Sequence, residues 1–169
     1  GIPPMTIDEF NELDLGSQCD YLMESCHCES WARRVAGYAP FASRRELLDS
    51  AALEWQTVSE KEILEAFSGH PRIGDLEALK RRYAVTANEE QGQVLTAPES
   101  ILLDLKDANE AYLSRYGFIF IVCASGKSAE EMLDLVLNRL KNSREDELVN
   151  GAREQAAITD LRLKKMIEE

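Results

Sequence analysis

Apolar residues recur along most of the chain at steps of three and four, the spacing that gathers them on one face of an α-helix. Leu47, Leu48, Ala51, Ala52 and Trp55 make one such stripe; Ile63, Leu64 and Phe67 make a second, and Ile101, Leu105, Ala108 and Tyr112 a third. Leu133, Val136 and Leu140 repeat the pattern, and a last helix from about Arg144 to Ile167 has Leu148, Ala152, Ala156, Thr159, Leu163 and Met166 on one side. Thr6/Glu9, Ser43/Glu46, Ser59/Glu62 and Ser128/Glu131 each place a hydroxyl three residues before a glutamate, the pairing that caps free amides at a helix start. Short helices are predicted from Thr6 to about Leu13 and from Ser17 towards Ser25. Trp31, Val35 and Tyr38 then keep helical spacing until Pro40, and Trp31 is a core candidate.

Two stretches break the pattern. Gly69, Pro71 and Gly74 interrupt Ser68 to Asp75, leaving His70 in a bent loop directly after a helix. Leu76, Leu79 and Tyr83 restart one or two helical turns with Lys80, Arg81 and Arg82 facing water, and polar Thr86 to Gln93 reads as the first turns of a further helix. Pro98 opens the third stripe, where its missing N–H costs nothing. The second break is Gly117 to Ala124, the one segment rich in aromatic and β-branched residues. A lone strand makes no sheet, so it reads as a buried extended segment crossing a helical bundle. The predicted fold is all-α, a single-domain bundle of about eight or more helices with that extended segment near 117–124. The domain covers residues 5–169, with Gly1-Ile2-Pro3-Pro4 set aside as a remnant foreign to the fold.

Composition narrows the classes. With 44% hydrophobic and 30% charged residues, the 169-residue chain is an ordinary soluble protein able to bury a sizeable core. A formal net charge of -12 argues against nucleic acid, whose phosphates need clustered Lys and Arg, yet leaves room for an anionic small substrate held by one or two arginines. The longest apolar run, Phe118 to Ala124, is far short of the ~20 residues of a membrane span. Cys19, Cys26, Cys28 and Cys123 form no C-x-x-C pair and follow no secretory leader, so free thiols in a reducing cytoplasm are expected. Cys26-His27-Cys28 invites a zinc reading, but the second Cys/His pair of a structural site is missing and no metal is expected. The end of the chain carries no peroxisomal address.

Three features carry candidate chemistry. His70 is either a brace for the last helical carbonyls or a proton-transfer group, with Arg72 and Asp75 as nearby partners. Glu90 and Gln91 read either as helix-start residues or as site groups, and Arg162, between two leucines, either snorkels to water or faces a ligand. Composition and spacing stop there, at a soluble helical domain with one conspicuous loop.

Taken together, Cys28-Glu29-Ser30-Trp31, Ala39-Pro40-Phe41, His70-Pro71-Arg72-Ile73-Gly74-Asp75, Glu90-Gln91, Tyr116-Gly117-Phe118-Ile119-Phe120 and Ile158 through Leu163 resemble the 2-oxo-4-hydroxy-4-carboxy-5-ureidoimidazoline (OHCU) decarboxylase family of uric acid degradation. The pieces stand in the family's order over nearly the whole chain. The resemblance implies an all-helical, usually dimeric enzyme without metal or organic cofactor that removes carbon dioxide from its substrate and leaves (S)-allantoin. It further implies His70 as the catalytic acid, Glu90 as its carboxylate companion, and Gln91 and Arg162 as substrate holders. Pro71, the position of Ala87, and the backbone of Phe120, Ile121, Val122, Cys123 and Ala124 would complete the contacts. Two positions depart from many relatives: Ala87 stands where they have Ser, and Ile119 where they have Pro. These departures are the support for a rival reading, a helical interaction module that keeps the fold without the activity; a small zinc protein built on Cys26 to Cys28 is a third.

Overall fold

The computed structural model describes residues 2–72, 75–86, 94–96 and 98–169. The capping signatures place their helices as expected. The first short strand, β1 (Met5–Thr6), runs into α1 (Ile7–Glu12), where Thr6 and Glu9 cap each other's backbone reciprocally. Ser59 and Glu62 do the same for α5 (Glu60–Ser68), and Ser128 and Glu131 for α8 (Ala129–Arg139). At α4 (Arg44–Trp55) the box is half-formed: Ser43 accepts the Glu46 amide, but the Glu46 carboxylate turns to the Ala42 N–H at 2.7 Å. Asp14 caps α2 (Leu15–Met23), and Cys28 precedes α3 (Glu29–Ala36), whose helix ends before the exposed Tyr38. Asp75 caps α6 (Leu76–Arg82) by accepting the Ala78 amide, and Pro98 leads into α7 (Glu99–Tyr116). The last helix is α9 (Arg144–Met166).

The described residues are thus overwhelmingly helical, and the fold is all-α. Among the described residues, four short strands accompany the helices. β1 pairs in parallel with β4 (Ile167–Glu168), and β2 (Ala84–Thr86) pairs antiparallel with β3 (Val94–Thr96). Thr86 therefore ends a strand rather than opening a helix; the polar residues that suggested helix continue into positions 87–93, which lie outside the described residues. Residues 117–124 form no strand, as expected. Gly117 at φ +81° ends α7 in the left-handed conformation that glycine tolerates best, and the chain then runs irregularly with Phe118 and Ile121 buried.

The helices gather in two compact units. The first holds the chain up to His70, Ile121–Cys123 and Leu148–Glu169. Its core is built from Phe10, Leu22, Trp31, Leu47, Leu163 and Ile167, all fully buried, and the Trp31 indole N–H donates to the Ala51 carbonyl at 3.1 Å. The second holds Pro71–Phe120 and Ala124–Glu147. There Leu102, Leu105, Tyr112 and Val136 are fully buried around Glu147. That buried carboxylate accepts from the Tyr112 hydroxyl at 2.6 Å, the Arg139 guanidinium at 2.7 Å and the Asn142 amide at 2.8 Å, which is what makes its burial tolerable.

On α9 the buried line differs from the predicted stripe. Glu147, Gly151, Gln155, Thr159 and Leu163 lie fully inward at steps of four, while Ala152 and Ala156 sit at the flanks. The centre of the face is held by two polar side chains and a glycine, residues that a search for apolar periodicity passes over.

Candidate active site

Four local structures of the first unit converge on one cleft of about 510 Å³. Asp20 and Met23 come from α2 with Glu24 at its C-cap, His27 from the turn after it, Ala66 from α5 with Gly69 and His70 at its exit, and Arg162 from α9. The α5 exit is tightly fixed. The Gly69 amide bonds to the Ala66 carbonyl and the His70 amide to that of Phe67, so the last turn closes before the chain leaves the helix. Gly69 is required by space rather than by its dihedral angles, because a Cβ there would collide with His27.

His70 is part-buried, and its Nε2 lies 2.5 Å from the Oε1 of Gln155, a side chain wholly inside the fold. Burial pushes the imidazole below its ordinary value, the Gln155 hydrogen bond works the other way, and the positive charge of Arg162 adds to the depression. Arg162 is itself exposed at the cleft, so its guanidinium is presented to solvent and to any anion that enters. Both side chains line the same cleft.

The other expected site residues divide between the units. Ile121, Val122 and Cys123 belong with His70 and Arg162 in the first. Ile121 is buried, Val122 and Cys123 are half-buried, and the Cys123 amide donates to the Glu154 carboxylate at 3.2 Å, so that N–H is engaged within the protein. Pro71, Phe120 and Ala124 belong to the second. Pro71 and Phe120 line a small cavity of about 40 Å³ with Arg72, Lys106 and Asn109, and the Phe120 ring stands 5.2 Å from Tyr112 with the Arg139 guanidinium 4.6 Å above it. Ala87, Glu90 and Gln91 lie outside the described residues.

Gln155 is the residue that sequence reasoning missed. The available signal was a polar triplet, Gln155, Thr159 and Arg162, at i, i+4 and i+7 on the last helix. Among the described residues, no group of three His, Cys, Asp or Glu side chains is placed to hold a metal ion. Cys26 and Cys28 are buried, and burial pushes the Cys26 thiol up to about 12. No helix of the described residues is long and apolar enough to cross a membrane.

A helical frame that presents an imidazole and a guanidinium to one polar cleft is suited to acid–base work on a small anion. The family model for OHCU decarboxylase matches residues 11–164, and the chain belongs to that family. It is 32% identical over 147 residues to the uric acid degradation bifunctional protein TTL of Arabidopsis thaliana, covering 85% of this chain and 45% of that protein. It is 24% identical over 160 residues to the 2-oxo-4-hydroxy-4-carboxy-5-ureidoimidazoline decarboxylase of Haloferax volcanii, covering 94% of each. The chain therefore spans less than half of the bifunctional plant relative and nearly all of the archaeal one. Among solved structures, an OHCU decarboxylase crystallised in the presence of (S)-allantoin superposes with a TM-score of 0.71 at 31% identity, over 86% of this chain and 96% of that one. A structure of (S)-allantoin synthase shares the fold, with a TM-score of 0.74 at 17% identity over 98% of this chain and 54% of that one.

Proposed function

We propose that the chain removes carbon dioxide from 2-oxo-4-hydroxy-4-carboxy-5-ureidoimidazoline and leaves (S)-allantoin, with His70 as the proton donor and Arg162 as a planar fork for the substrate. The observation that carries the reading is the cleft shared by His70 and Arg162 in a chain whose family match runs from residue 11 to 164. The chemistry asks little more of the protein. When the bond from ring carbon to carboxylate breaks, its electron pair passes into the adjacent C=N of the substrate, so the substrate is its own electron sink. What is left for the protein is to hold the ring, orient the carboxylate and deliver one proton to one face.

The depressed imidazole fits that order of events. A neutral His70 admits the anionic substrate beside Arg162, and the arriving carboxylate then favours the charged ring, which has a proton to give. Glu90 and Gln91 are assigned their roles, carboxylate companion and substrate holder, by the family resemblance. The same resemblance supports a homodimer, which sedimentation equilibrium of the purified chain checks: a mass near 19.0 kDa would contradict it. The free cysteines support a cytoplasmic location.

The test uses substrate generated in place by urate oxidase and hydroxyisourate hydrolase and follows (S)-allantoin by circular dichroism. Added protein should raise the rate far above the spontaneous one. Unchanged allantoin formation overturns the decarboxylase reading, and a folded His70→Ala variant with full activity overturns the assignment of the acid.

A further inference from the structure

We infer that Gln155 is a positioning residue that fixes the tautomer of His70, holding the proton on Nε2 and leaving Nδ1 as the nitrogen that exchanges protons with the ligand. The inference rests on the proposed role of His70 and assigns its working atom.

The order of donors and acceptors is set by a group that can play one role only. The Ser25 carbonyl can only accept, so the Thr159 hydroxyl, 3.3 Å away, spends its one proton there. The Thr159 oxygen is then left with lone pairs, and the Gln155 nitrogen 3.0 Å from it must be the donor. The Cys26 sulfur is a further acceptor facing the same hydroxyl, and a proton shared between these two acceptors still leaves the Thr159 lone pairs to receive the Gln155 N–H. Once the amide nitrogen of Gln155 faces Thr159, its oxygen faces His70, and an oxygen that can only accept requires a proton on Nε2. All four groups are buried or part-buried in the first unit, where water competes poorly.

The choice of an amide has a chemical consequence. A carboxylate at this position would hold the ring as an imidazolium, whereas a neutral acceptor orients it and leaves its charge to be decided by the cleft. The charged groups that face the cleft are Asp20, Glu24 and Arg162, with His27 beside them. The ring is thus set to respond to an anion arriving at Nδ1.

The chain has two histidines, His27 and His70, so the test is direct. Protein labelled with ¹⁵N-histidine, without substrate and above the imidazole titration range, is examined by long-range ¹H–¹⁵N correlation, with His70→Gln assigning the signals. His70 should appear as the Nε2–H tautomer; an Nδ1–H ring overturns the inference. Gln155→Leu and Thr159→Val should each give a mixture of tautomers, with kcat reduced about 10- to 100-fold and KM changed less than about twofold. Gln155→Glu should keep the Nε2–H form and move the pH limb of kcat upward, a shift that a merely structural role would not produce. A Gln155→Leu protein with an unaltered tautomer and kcat also overturns the inference. Should that variant fail to fold, the wild-type spectrum decides alone. Because the spectrum needs no turnover, an inactive wild-type protein would refute the decarboxylase reading and leave the tautomer result standing.

Discussion

Burial and the Arg162 guanidinium both push the His70 imidazole below its ordinary value, which places the resting ring on the neutral side at neutral pH. A donor must be charged, so the free protein and its complex should titrate differently. For an acid, kcat/KM falls as pH rises through the depressed value of the free ring, and the limb in kcat lies at higher pH because the bound carboxylate favours the imidazolium. The opposite order, with rates rising with pH, would make His70 a base. The two roles proposed for Arg162 can be separated by one substitution. Arg162→Gln removes the fork and should raise KM about tenfold, and it also removes a cation beside the ring, so the kcat/KM limb should move to higher pH. A KM change without the pH shift would mean that Arg162 acts on the ligand alone. Both residues were legible in the sequence only as a pair in a family order, since either one alone reads as a helix-end brace or a solvated arginine. Gln155 was not legible, because its role lies in which atom it turns to which neighbour, and no spacing encodes that.

At the level of elements, the capping residues were the most legible feature, because a cap is decided by residues three apart. Ser59 and Glu62 also do more than cap α5: the Glu62 carboxylate takes the Ser59 amide, the Ser30 hydroxyl at 2.6 Å and the Arg34 guanidinium at 2.8 Å, tying α3 to α5. Ser59→Ala should cost about 1 kcal/mol, measured as a lower urea midpoint with unchanged slope. The α9 face was misread for the converse reason. Its centre is set by a partner across the interface: at Gly151 a Cβ would stand 2.8 Å from the Phe67 ring, which is almost completely buried. Gly151→Ala gains about 1 kcal/mol of helix propensity and meets an overpacking cost of about 1–3 kcal/mol, so the net effect is a lower Tm. A higher Tm would show that Phe67 can give way. The short strands were invisible for a related reason, since two or three residues carry no period, and the pairing of β1 with β4 depends on distant parts of the chain brought together by the helices.

For the whole molecule, Asp14, Glu54, Glu62 and His70 are all held below their ordinary values, and of these His70 and Glu62 bear on acid unfolding in separate windows. His70 has a folded value below 6.5. Below that pH the unfolded chain takes up a proton that the folded chain refuses, so stability begins to fall as pH drops through about 6.5. Glu62 is held down from 4.5 to about 2 by Ser30 first and then Arg34, so its contribution is complete above 4.5 and is lost as pH falls towards about 2. Since its side chain retains a relative exposure of 21%, the network is worth about 1–2 kcal/mol rather than the full linkage value. Urea midpoints measured from neutral pH down to pH 3 should therefore show an upper limb that His70→Gln removes and a lower limb that Glu62→Gln reduces, Asp14 and Glu54 also being held down. Glu62→Gln should be the less stable protein at neutral pH by that amount, with the difference closing as the medium is acidified below 4.5. A constant difference across the whole range would mean that the Glu62 network contributes through geometry alone and not through its charge.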